Sequence, residues 1–300
     1  MRRADADIRT ELETRLADLE RHNPEWRSWL RLLRETRRAL DDAAWEHPVS
    51  GPEAETPAGT SPPLLHGREL LVDSGRLRRL VRRLAETAGE QTPSLAGYRP
   101  SGPDALALVE AAVRQDRAGV EALAAMAGVD PEALWTIAQL AALPVLHAGA
   151  RQLAAQAPAR WPHGYCPICA AWPLLAELRG LDRSRWLRCG RCGGDWQVDW
   201  LRCPYCGEAA HERLGSLVPE AELETRKAET CARCRRYLKS VTTLLPMAPF
   251  ELLLRDLETV ELDLVAVDRG YTRPHGPGYA LDVRLRARPS RSILGLGRRG

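Results

Sequence analysis

Eight cysteines fall in four Cys-x-x-Cys pairs, Cys166/Cys169, Cys189/Cys192, Cys203/Cys206 and Cys231/Cys234, and the 300-residue chain contains no other. Thiols two residues apart on a tight turn point toward one centre. Two such turns supply the tetrahedral set of four sulfurs that Zn²⁺ or a single iron ion accepts. Gly193 and Gly207 directly follow their pairs and suit the positive-φ turn of such a knuckle, whereas Ala170 and Arg235 occupy the same place in the other two pairs and are less typical there. Disulfides would require an oxidising compartment, and the paired arginines Arg2 and Arg3 are followed by an acidic amphipathic run, not by an export signal. A thioredoxin-like redox motif would show one pair at a strand-to-helix junction, and iron–sulfur clusters commonly bring three cysteines close together. The pattern favours mononuclear metal over these alternatives.

The intervals between pairs argue for a division of the ligands. Interiors of 19 residues (170–188), 10 residues (193–202) and 24 residues (207–230) separate successive pairs. Sequential pairing assigns Cys166, Cys169, Cys189 and Cys192 to one ion and Cys203, Cys206, Cys231 and Cys234 to the other, with ribbon-like spacing in each. A nested arrangement would squeeze one ribbon into ten residues already holding the extended run Trp196-Gln197-Val198-Asp199-Trp200; a cross-braced arrangement is the runner-up. Four protein ligands leave no open position for substrate or water, so such centres do no hydrolytic chemistry. His163 and His211 lie near the knuckles and read as ordinary surface histidines, Asp195 and Asp199 as a solvated strand face. No catalytic triad or carboxylate pair stands out.

The elements that must position these cysteines divide the chain. Up to about residue 157 the apolar spacing is helical: Ile8, Leu12, Leu16 and Leu19, then Trp26, Trp29, Leu30 and Leu33 behind an Asn23-Pro24 start signal. A proline-rich stretch over 47–63 reads as an irregular connection. Helical spacing resumes at Leu77, Leu80, Val81 and Leu84, at Leu106, Val109 and Val113, and behind Asp130-Pro131. The most apolar stretch, 133–150, is interrupted by Gln139, Pro144 and His147 and reads as a buried helix. From Tyr165 onward the helical period stops. Trp196, Val198 and Trp200 alternate as on a strand, Leu238, Ser240, Thr242 and Leu244 suggest another, 250–267 is ambiguous between helix and strand, and the basic tail after Gly270 is expected to be mobile. The expected fold class is α+β: an all-helical domain (1–157), two tandem four-cysteine ribbons of zinc-ribbon or rubredoxin-like type (158–200 and 201–247), and a C-terminal segment (248–300).

Composition fits a soluble globular protein, with 44% hydrophobic and 28% charged residues. Only Lys227 and Lys239 are lysines, so 41 of the 43 basic residues are arginine, a bias that reflects composition rather than a recognition surface. Over 158–240 the basic residues outnumber the acidic by four, which keeps a nucleic-acid-binding ribbon protein as the alternative. Two divalent ions, each held by four thiolates, would take the formal +3 of the chain to about −1. That weakens the alternative.

The wording around the cysteines resembles the formate dehydrogenase accessory proteins of the FdhE family. The resemblance runs through Tyr165-Cys166-Pro167-Ile168-Cys169, Arg185-Trp186-Leu187-Arg188-Cys189 and Cys192 with Trp196, then Arg202-Cys203, and Ala228-Glu229-Thr230-Cys231 to Tyr237-Leu238-Lys239. Fainter echoes occur at Asn23-Pro24, Pro62-Pro63-Leu64 and Ala142-Leu143-Pro144-Val145-Leu146. The resemblance implies a cytoplasmic, non-enzymatic assembly factor that contacts the catalytic subunit of formate dehydrogenase, with no nucleic-acid or membrane partner and the eight cysteines as ligands of two mononuclear ions. Spacing alone suggests zinc; the resemblance favours iron, with zinc as the alternative and a redox role as a refinement. Ala170 stands where the family often has glycine, and the tail after Tyr271 departs from its pattern.

Overall fold

The computed structural model describes residues 2–50, 62–158, 160–218 and 225–289. The helical half comprises α1 (Arg2–His22), α2 (Arg27–Leu40), α3 (Ser74–Gly89), α4 (Pro93–Ala96), α5 (Gly102–Arg114), α6 (Arg117–Ala127) and α7 (Pro131–Leu153), interrupted by two short strands, β1 (Val49–Ser50) and β2 (Arg68–Val72). Side-chain caps start α3, α5 and α7: Asp73 accepts from the Arg76 amide, Asp130 accepts from the Ala133 amide, and Ser101 and Asp104 form a reciprocal capping box. Asn23 departs from its expected role. Its side chain caps no following helix; Nδ2 instead donates to the Leu19 carbonyl and closes α1. The proline-rich residues 51–61 and the side chain of Ile8 lie outside the described residues.

Helix α7 is the axis of this half. Pro131–Gln156 is long and apolar enough to cross a membrane, yet 78% of its most apolar window is buried inside the protein. Leu134, Ile137, Val145 and Leu146 are completely enclosed, each contributing about 1.5–3 kcal/mol of burial. Leucines at helical spacing on α3 (Leu77, Leu80, Leu84) and α2 (Leu30, Leu33) pack into the same core.

The second half is a six-stranded sheet with β3 (Leu175–Arg179), β4 (Ser184–Arg188), β5 (Asp195–Gln197), β6 (Leu214–Leu217), β7 (Arg226–Cys231) and β8 (Arg236–Thr243), in the order β5-β4-β3-β8-β7-β6. Every neighbouring pair is antiparallel except β3 and β8, which run parallel from Leu175↔Lys239 to Arg179↔Thr243. Each half of the sheet is one ribbon, and the parallel ladder is the seam between them. The stretch left ambiguous in the sequence forms two helices, α8 (Pro249–Glu258) and α9 (Val260–Asp268), beside this sheet.

The tail corrects the expectation of mobility. Val283–Ala287 forms β9, paired in parallel with β2 from Arg68↔Val283 to Val72↔Ala287. Val283 and Leu285 are buried while Arg284 and Arg286 face outward, and the Leu285 amide donates to Glu110 on α5. The apolar members of an alternating Val-Arg-Leu-Arg run therefore anchor it to the helical half. Residues 290–300 lie outside the described residues.

Buried charge pins α8 and α9 to the seam. Lys239 on β8 is 0% exposed, and its Nζ lies 2.7 Å from carboxylate oxygens of both Asp256 and Asp263. Arg273 pairs with the same two carboxylates, and Tyr237 donates to Asp263. Burial alone would raise the Asp263 carboxyl; Arg273, together with Lys239 and Tyr237, outweighs it and holds that carboxyl below its usual range. Removing one partner of such a network strands the others in a low-dielectric site. Lys239→Met is expected to cost about 3–5 kcal/mol in urea unfolding, and an unchanged midpoint would contradict this role. Since Asp263 is depressed in the folded state, its contribution is complete above the ordinary carboxylate range and lost as pH falls through the depressed value. The wild type should therefore lose more stability on acidification than Lys239→Met.

Candidate metal centres

The structure gathers the cysteines in the sequential arrangement. Cys166, Cys169, Cys189 and Cys192 form one group and Cys203, Cys206, Cys231 and Cys234 another, with the sulfurs of each group within 4.8 Å of one another. Sγ–Sγ separations are 3.5 Å for Cys166–Cys192 and 3.4 Å for Cys169–Cys189, and 3.7 Å for both Cys203–Cys234 and Cys206–Cys231. A sulfur tetrahedron around an ion at a bond length of about 2.3 Å has edges of about 3.8 Å. A disulfide would bring the sulfurs to about 2.05 Å. The donor sets fit a four-coordinate thiophilic ion such as zinc or iron.

All four knuckles share one backbone construction. The amide four residues after the first cysteine donates back to that cysteine's carbonyl: Ala170 to Cys166, Gly193 to Cys189, Gly207 to Cys203 and Arg235 to Cys231. Each of those donors has positive φ, 64° and 56° for Ala170 and Arg235 and 75° for both glycines. The two positions that looked atypical in the sequence adopt the same turn at a cost of about 1–2 kcal/mol each. Arg235 regains part of this by laying its guanidinium over Tyr271 at 4.1 Å and donating to the Arg269 carbonyl. Amides of Ile168 and Arg191 point at the Cys166 and Cys189 sulfurs, both at 3.4 Å.

The two groups differ in their surroundings. The first is sealed between the helical half and the sheet, with Cys166, Cys169 and Cys189 completely buried. Arg191, inside the second knuckle, reaches across to α5 and α7, donating to the Ala112 and Val113 carbonyls and to Gln139. A guanidinium thereby caps the end of α5 and ties this group to the helices. His147 on α7 lies under the same knuckle; burial pushes its imidazole down to about 4, so it is neutral there. The second group is flanked by open space. Cys206 and Cys234 are half-exposed, and Cys203 lines cavities on two sides.

Of the other residues marked in the sequence, His211 is exposed beside Glu212, and Asp195 pairs with Arg179. His163 stacks flat on Tyr165 with ring centroids 4.8 Å apart. None of these joins a sulfur group. Three residues that hold the assembly together showed no sign of that role in the sequence: Arg191, His147, which only interrupted an apolar stretch, and Arg185, which only opened the run to Cys189. The side chain of Arg185 is 2% exposed and donates to the Asp199 and Arg202 carbonyls and to Glu229, joining β4 to the second ribbon.

Residues 201–279 match a family described as FdhE, C-terminal domain. The chain is 34% identical over 112 residues to a protein FdhE homolog of Stutzerimonas stutzeri strain A1501, 30% over 111 residues to one of Serratia proteamaculans strain 568, and 28% over 112 residues to one of Haemophilus influenzae strain PittEE. Each alignment spans 36% of this chain and only 35–36% of the relative's own length. Across the whole fold, the crystal structure of the FdhE protein from Pseudomonas aeruginosa aligns with a TM-score of 0.54, covering 89% of this chain and 93% of that one at 21% identity, a likeness of fold.

Two predictions follow from the unequal burial and the shared turn. In protein loaded with two metal ions, a competing chelator should remove one ion per chain at least tenfold faster than the other. Alkylation read by mass spectrometry should mark Cys206 and Cys234 in that fast phase; release in a single phase, or first labelling at Cys166 or Cys169, would contradict the asymmetry. A Cβ at Gly207 meets nothing nearer than 3.7 Å, so Gly207→Ala should cost only the backbone term of about 1–2 kcal/mol. At Gly193 the new Cβ would stand 2.7 Å from Pro249, and the total should reach about 3 kcal/mol in chemical denaturation.

Proposed function

We propose that this chain, whose residues 201–279 match the FdhE C-terminal domain and whose fold resembles that of an FdhE crystal structure, is a non-catalytic accessory factor that binds the catalytic subunit of formate dehydrogenase in the cytoplasm during maturation. The eight cysteines hold two mononuclear ions, iron in preference to zinc, each closed by four thiolates. The observation that carries this reading is the pair of saturated sulfur sets on a single sheet. Four protein donors per site leave no position at which a substrate could coordinate, so the ions act by holding ribbons in shape. Iron in this ligand set would also allow one-electron exchange with the partner, which zinc could not supply. The chain is divided into a helical domain (1–157), two ribbons (158–200 and 201–247) and a C-terminal segment (248–300) that reaches back to the first domain.

The test is retention of a formate dehydrogenase catalytic subunit on immobilised protein purified without oxygen, with metal measured on the same sample. Wild type is expected to carry two ions per chain and to retain the subunit. Cys203→Ala/Cys206→Ala is expected to keep one ion, at Cys166, Cys169, Cys189 and Cys192, and to retain the subunit poorly. Failure of the metal-loaded wild type to retain the subunit would overturn the reading. Zinc in place of iron would remove the redox refinement and leave the scaffold role.

A further inference from the structure

A cleft of about 900 Å³ lies between the chain segment leading into the first knuckle, the end of β5 and the third knuckle. Its size is that of a ligand site, about 300–1,000 Å³. Five rings converge on it: Trp161, His163, Tyr165, Trp172 and Tyr205. They form a continuous strip, with Tyr165 meeting Trp161 at 5.7 Å and Trp172 at 6.1 Å, and Trp172 meeting Tyr205 at 5.4 Å between centroids. All but Trp161 are partly exposed. The wall is held close by Gly164, where a Cβ would stand 1.7 Å from the Pro204 carbonyl oxygen. The leading segment therefore lies directly on the third knuckle, and the second sulfur group supports one side of the cleft.

Three arginines, Arg160, Arg185 and Arg202, face this cleft against a single carboxylate, Asp199. Arg160 and Arg202 are exposed. Arg185 is buried, and although its terminal nitrogens are engaged, its Nε has no hydrogen-bond partner.

The third component is a strand edge. Among the described residues, β5 pairs with β4 alone and ends the sheet. The Val198 amide donates to the Arg185 carbonyl and the Gly194 carbonyl accepts from Cys189, so these positions face β4. By alternation, the main-chain groups of Asp195 and Gln197 turn toward the open edge, and Gln197 also lines the cleft. An open edge accepts another main chain. Nucleic acid could use the arginines and the rings but lacks the repeating main-chain N–H and C=O groups that a strand edge pairs with.

We propose that this cleft is the docking groove for an extended acidic peptide segment of the partner protein. The segment runs beside the open edge of β5, places its carboxylates on Arg160 and Arg202 and lays apolar side chains on the ring strip. This rests on the accessory-factor reading, which supplies the partner.

The experiment uses metal-loaded full-length protein and fluorescein-labelled 15-residue peptides tiled across a formate dehydrogenase catalytic subunit, read by anisotropy. A subset of acidic peptides should bind, and Arg160→Glu/Arg202→Glu should weaken them at least tenfold with metal content and circular dichroism unchanged. Arg78→Glu, an exposed reversal on α3, should leave binding as it was. Equal affinity in the double variant would overturn the proposal, as would tighter binding of a single-stranded oligonucleotide that the double variant loses. Retention of the intact subunit separates the two readings: full retention by the double variant overturns the groove and leaves the accessory role standing. No retention by the wild type, with no tiled peptide bound, overturns both.

Discussion

Sulfur crowded into a protein core is the constraint on which this structure depends. Four cysteines whose sulfurs all lie within 4.8 Å of one another, two pairs of them at 3.4–3.5 Å, sealed from water, would be mutually repulsive as thiolates and wasteful as thiols. Burial pushes the Cys166 thiol well up, while hydrogen bonds from its three neighbours push Cys189 down. A cation would make four thiolates tenable in that place, and its binding would then be coupled to folding of the ribbon. The sealed group is the more tightly integrated of the two, since its knuckles also carry the contacts of Arg191 and His147 with the helices.

From this the layout of the molecule can be understood. Each sulfur group folds one three-stranded ribbon, and three strands are near the lower limit for independent stability. Joining two ribbons along the parallel β3–β8 ladder gives each central strand neighbours on both sides. The seam is then buried, and the charges placed there must be paired: Glu177 on β3 with Arg179 and Arg188, Lys239 on β8 with Asp256 and Asp263. The tail returns to the helical half as β9, so the chain closes on itself across both halves.

The metal-site geometry was legible in the sequence because ligand chemistry is local and the intervals between pairs are short. The sequential division of the cysteines follows from those intervals, and the helical half from leucines at steps of three and four. What escaped had no local signature. β9 has the alternation of a strand, but its partner β2 is more than 200 residues away, and its arginines read as a basic tail. Lys239 sits at a strand position that could equally have faced solvent; only the arrival of α8 and α9 decides its burial. Ala170 and Arg235 adopt a backbone that propensity disfavours because the shared cysteine-knuckle turn demands it. Arg185 opened a recognisable run to Cys189, but its role comes from three segments meeting around it, which no local pattern shows.

Two separate ions, each closed by four sulfurs, are what the proposed function requires of this chain. X-ray absorption at the metal edge of the loaded protein tests this requirement most directly. The expected spectrum has a single shell of four sulfur neighbours at about 2.3 Å for either metal-loaded site, with no light-atom ligand and no metal–metal vector. Fewer than four sulfurs per ion, a nitrogen or oxygen in the first shell, or a second metal within bonding range would contradict it.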